Sequence, residues 1–185
     1  MIPLAENIQS WLPNTFQEVD GWFDRDEKLR TYKPQDNGWT IDEILEHITL
    51  TNRYLLILIE KGKRKASKRV NEVDLQSVLE DYTFSSAKFE NIGRHQSFLW
   101  VRPEHMEPQR HKNLSEVRHI MKTQVQQCVD VLQSLANGEG LLYKTMMSVD
   151  NLGKLNVYEY IYFLAQHARR HVEQMEKNKR EFLNE

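Results

Sequence analysis

The chain has 185 residues, 39% hydrophobic and 28% charged, with a net charge of −2. That length and balance suit one domain, residues 1–185, with a single core. They exclude a disordered polymer and any bulk attraction to nucleic acid or an anionic membrane. One cysteine, Cys128, rules out an intrachain disulfide framework, and seven glycines with five prolines are few for an all-β protein. An all-α fold is therefore expected. No apolar run reaches the length of a membrane span, and Met1 to Glu6 lack the pattern of a signal peptide. A soluble cytoplasmic protein is the expectation.

Residues 4 to 28 read as helical, with Leu4, Ile8, Trp11, Leu12, Phe16, Val19, Trp22 and Phe23 at helical spacing. Pro13 should kink or break that helix, since it lacks a backbone donor and clashes one turn back. Residues 29 to 39 form a loop with a turn at Asp36-Asn37-Gly38. Thr40 and Glu43 then make a capping box for a helix running to about Lys61. Its buried stripe is Ile41, Ile44, Leu45, Ile48, Leu55 and Ile59, with His47 on the flank.

Residues 61 to 69 carry six positive charges and read as a solvated loop between helices. Val73 to Tyr82 can form a short helix. Phe98, Leu99, Trp100 and Val101 are apolar enough to cover a core, a pocket mouth or a subunit contact. Asn113 and Glu116 start the next helix, which ends at Asn137-Gly138. Its stripe turns Cys128 inward, where a thiol behaves as a small hydrophobe. After a connection over 139 to 155, Asn156 caps a last helix that runs to about Lys179. Ile161, Leu164, Ala168, His171 and Met175 share one face of it, bordered by His167. Gln166, Arg169, Arg170, Glu173 and Lys177 fall opposite.

His167 and His171 are four residues apart, so both imidazoles lie on one helix face and can grip one ion. Two ligands rarely suffice. His47, 120 residues upstream of His167 on another helix, is the candidate for the third. Three imidazoles suit zinc, nickel or iron(II) and leave positions open for water or substrate. The alternative is that these are core-edge histidines satisfied by hydrogen bonds, although two imidazoles are costly to bury without partners. His95, His105, His111 and His119 read as surface residues. His105 and His111 sit in a loop that can still approach a pocket. Glu43, one turn before His47, can orient that imidazole or simply cap its helix.

Two segments carry a family resemblance. Asn37-Gly38-Trp39-Thr40-Ile41-Asp42-Glu43-Ile44-Leu45-Glu46-His47-Ile48 resembles the DinB/YfiT-like superfamily segment in which a loop tryptophan leads into the helix of the first metal histidine. Leu164-Ala165-Gln166-His167-Ala168-Arg169-Arg170-His171-Val172 resembles the HxxxH helix of the same superfamily. The resemblance implies a four-helix bundle of up-down-down-up topology, with residues 61 to 112 as the long crossover between its second and third helices. It implies a divalent metal, zinc or nickel, held by His47, His167 and His171, and a homodimer acting on a small-molecule substrate. The activities it implies are metal-dependent hydrolysis and transfer of a low-molecular-weight thiol such as bacillithiol or mycothiol. Better-known members carry a histidine- and serine-rich segment after the first ligand, where this chain has Thr49, Thr51 and Asn52. The competing reading is a non-catalytic bundle serving as a binding or stress-linked module.

Overall fold

The computed structural model describes residues 2–100 and 103–184. Val101 of the apolar stretch lies outside them. The fold is helical, with one small sheet. Four long helices form the body: α1 (Pro3–Asp20), α3 (Ile41–Arg69), α6 (Leu114–Ser134) and α7 (Val157–Phe182). Helix α1 packs on α6 and α7, and α3 packs on the same two. Between them lie the short helices α2 (Glu27–Arg30), α4 (Leu75–Asp81) and α5 (Glu90–Gly93). No helix among the described residues is long and apolar enough to cross a membrane.

Helix α1 passes through Pro13 without the expected break. Pro13 is exposed, while Ile8, Leu12, Phe16 and Val19 are buried on the opposite side. Burial of each such side chain is worth about 1.5–3 kcal/mol, enough together to offset the ~3 kcal/mol an interior proline costs. The helix stops at Asp20, before the expected end at 28. Trp22 and Phe23 stay buried in the turn that follows. Periodicity found the right core residues and overran the helix.

The basic run belongs to α3 and is no loop. Lysine and arginine are good helix formers, and those in the last turn favour the negative end of the helix dipole. Two buried positions also tie this stretch down. Gly62 lies so close to α7 that an added Cβ would sit 3.0 Å from Val157 Cγ2, and Ala66 is fully buried. Arg69 Nη1 donates to Leu142 O at 2.8 Å.

Capping boxes start the three longest helices: Thr40 with Glu43, Asn113 with Glu116, and Asn156 with Glu159. Cys128 faces the core, and burial pushes its thiol up to about 12, so it stays protonated and inert. The connection before α7 holds a hairpin that the sequence did not announce. Strand β1 (Lys144–Met147) pairs antiparallel with β2 (Gly153–Asn156). Four residues per strand are too few for a legible alternation. Asp150, Asn151 and Gly153 turn the chain there, and all three have positive φ.

Arg118 of α6 locks the end of α1. Its Nε and Nη2 each donate to Asp20 at 2.7 Å, and it also bonds Asp24. The bond from Arg118 holds the Asp20 carboxyl below its usual range against the opposing push of burial. The folded pKa is thus lower than the unfolded one. The stabilisation is complete above about pH 4 and is lost as pH falls through the folded value. Asp20→Asn is expected to cost under about 1 kcal/mol at neutral pH, because the pair is partly solvated. The gap between wild type and variant should narrow in urea melts at about pH 3. An equal gap at both pH values would contradict this assignment.

Candidate metal centre

The loop over 31 to 39 is clamped to α7 before α3 begins. Lys177 Nζ meets Asp36 Oδ2 at 2.7 Å, and Glu181 Oε1 accepts from Gln35 N and the Tyr32 hydroxyl. Asn178 Nδ2 donates to Trp39 O at 2.8 Å. This sets the Trp39 ring 4.5 Å from that of His47, two turns into α3. The α3–α7 packing then brings His47 against the pair on α7. Ring centroids are 5.2 Å apart for His47 and His167, 4.8 Å for His47 and His171, and 4.5 Å for His167 and His171. All three are buried, with one potential ligand nitrogen from each within 4.8 Å of the others.

Their partners set the tautomers. His47 Nδ1 lies 2.7 Å from Met106 O, and a carbonyl only accepts, so that nitrogen carries the proton. His171 Nδ1 lies 2.8 Å from Gln174 Oε1, which fixes it the same way if the amide presents its oxygen. Each bond leaves Nε2 with the lone pair. Burial, then the neighbouring rings, holds His167 and His171 well below the usual histidine pKa, so both are neutral at pH 7. His167 Nε2 is 3.1 Å from His171 Nε2.

This donor set fits a metal ion. Metal–nitrogen bonds of about 2.0–2.1 Å place adjacent ligand nitrogens roughly 3 Å apart. A carbonyl behind His47 and an amide behind His171 are the usual supports of metal-bound histidine. Glu43 is not one of those supports. Its Oε2 accepts from Thr40 N at 2.7 Å, and it pairs with Arg110. The sequence did not single out Met106 or Gln174. Gln174 was within reach, three residues past His171 and thus on its face. Met106 was not, because its place depends on how the crossover folds.

The family model of the DinB superfamily matches residues 15–175, which span all three histidines. The chain belongs to the DinB superfamily. Searches of curated proteins and of solved structures gave no match.

In this DinB-superfamily chain the histidines form part of the wall of a pocket of about 380 Å³. Trp100 lines it, with its ring 5.7 Å from that of His167 and stacked on Phe98 at 4.8 Å. Leu99 points out, 91% exposed. His105 reaches the pocket from its loop, while His111 and His119 are exposed and stand apart from it. His95 departs from the surface reading. It is half-buried in the pocket wall, burial lowers its pKa, and its Nδ1 has no partner among the described residues. Gln166 and Arg170 also depart from the polar face assigned to them. Both are buried, because α5 and the loop after it cover that side of α7. Gly93 permits the approach: a Cβ there would lie 2.2 Å from Gln166 Oε1. Cys128 does not join the cluster.

Proposed function

We propose that this DinB-superfamily protein is a metal-dependent enzyme, with His47, His167 and His171 holding a divalent cation, zinc or nickel. One observation carries the reading: three buried imidazoles converge where a pocket opens beside them. A dry structural cluster would not need that opening. A bound cation would polarise water for hydrolysis or a low-molecular-weight thiol for transfer. The protein's own residues divide the remaining work. Met106 O and Gln174 Oε1 hold two rings in the ligating tautomer. Trp39, Trp100 and Phe163 shield the site from bulk water. No carboxylate lines the pocket among the described residues, so a conventional acidic base is lacking there. His95 is the side chain placed to accept a proton, since it is held neutral and its Nδ1 is unpartnered.

The same proposal takes the four long helices as a bundle of up-down-down-up topology, with the segment after α3 as its crossover. It takes the protein as a cytoplasmic homodimer acting on a small molecule.

Cobalt(II) substitution tests the reading. One equivalent of cobalt should give a visible spectrum of protein-bound ion that survives dialysis. Adding a low-molecular-weight thiol should change that spectrum if the chemistry is thiol transfer. An unchanged spectrum together with turnover of an ester or amide would select hydrolysis. Failure to retain zinc, nickel or cobalt would end the metal-enzyme reading.

A further inference from the structure

The pocket has one permanently charged side chain among the described residues that line it, Arg170. It is 8% exposed. Its guanidinium carbon lies 4.7 Å from the Trp100 ring centroid and 5.8 Å from that of Phe98. Nη1 donates to Arg94 O and, at 3.4 Å, to Ser97 Oγ. These contacts fix the plane of the fork and leave Nε and Nη2 without a bond to a described residue. The nearby carboxylate, Glu173, is exposed on another cleft, where it accepts from His95 N at 2.8 Å. It makes no ion pair with Arg170.

Glu173 acts on Arg170 only from a distance, and a buried guanidinium with no anion in contact is costly. A second donor in the same pocket is also unmatched: Trp100 Nε1 is buried with no acceptor among the described residues. The rest of the wall is largely apolar, with Leu55, Met106, Met147, Val149 and Phe163. The pocket thus offers unmatched donors beside apolar walls, with no carboxylate among the described lining residues to repel an anion.

We propose that the pocket binds small monocarboxylates with an apolar body. The guanidinium of Arg170 pairs with the carboxylate, and the apolar walls take the rest. This deepens the metal-enzyme reading by naming its substrate class, and rests on that reading only for what happens to the bound anion. Planar carboxylates suit the guanidinium fork, which stacking on Trp100 holds in one orientation.

The experiment compares 3-phenylpropionate with its uncharged amide by calorimetry, on metal-free and zinc-loaded full-length protein. A charge-assisted hydrogen bond is worth about 1.5–3 kcal/mol, so the acid should bind metal-free wild type at least about tenfold tighter than the amide. Arg170→Gln should abolish that preference, and Arg170→Lys should keep part of it. Equal binding of acid and amide to metal-free wild type would overturn the proposal. So would a preference that survives Arg170→Gln, or one that appears only with zinc, since the anion would then be a ligand of the ion. If Arg170→Gln does not fold, the wild-type ratio and the lysine variant decide. Failure of the metal-enzyme reading is a separate result: no zinc is retained, while the acid preference of the metal-free protein stands.

Discussion

His167→Ala is expected to reduce bound metal from about one per chain to almost none. Structural zinc sites with four ligands are worth about 10–16 kcal/mol, or roughly 2.5–4 kcal/mol per ligand. Loss of one ligand should therefore weaken binding by about 10²–10³-fold. The pair on α7 makes His167 the sharpest position to test. Its Nε2 stands 3.1 Å from that of His171, so removing it breaks the chelate within one helix. Gln174→Ala removes only the acceptor behind His171 and should cost about 10–100-fold. The gradation is the diagnostic part. Competition titrations against a chromophoric chelator would read both losses, with circular dichroism confirming that the helices persist. Wild-type affinity in His167→Ala would remove the histidine cluster as the metal site.

The same two variants separate what was readable in the sequence from what was not. His167 and His171 were legible because helical geometry turns a spacing of four into proximity. The three capping boxes were legible because each places two polar side chains at fixed offsets around one helix start. His47 could be named as the third ligand from its residue type and its helix, but the resemblance was needed to strengthen that pairing, since no local rule links residues on two separate helices. Membership of the DinB superfamily confirms that resemblance. The crossover followed other rules. The placements of Met106, His95 and Trp100 come from short turns between α4 and α6, whose course depends on what they pack against. Phe89 and Ile92 are fully buried anchors there, within a stretch too irregular to show a period. Arg170 was misplaced for the same reason. A helical projection assigns it to solvent, and only the loop after α5 turns that face inward.

Glu43→Ala should be the most destabilising single change outside the apolar core. The Glu43 side chain is mostly buried, yet it serves two parts of the fold at once. Its Oε2 accepts from Thr40 N and closes the capping box of α3. Its Oε1 accepts from Arg110 Nε at 3.0 Å and from Nη2 of the same residue. Glu46, one turn on, accepts from Arg110 N at 2.9 Å. Burial alone would raise the Glu43 carboxyl, but the bonds from Thr40 and Arg110 outweigh it and leave the group ionised. Removing the carboxylate forfeits a cap worth about 1 kcal/mol and charge-assisted bonds worth about 1.5–3 kcal/mol. A total near 3 kcal/mol is expected in urea denaturation, where Arg110 keeps partial access to water and limits the loss. Glu43→Gln can still accept from Thr40 N, so it should recover about 1 kcal/mol. The same substitution reaches the metal centre indirectly. Arg110 is four residues beyond Met106, whose carbonyl fixes His47, so freeing Arg110 loosens that support. Metal affinity in Glu43→Ala should fall by up to about tenfold, the lower end for an outer-sphere contact. Full stability in Glu43→Ala would show that the crossover holds its place without this clamp. Lost stability with unchanged metal affinity would show that Met106 is held by its own packing.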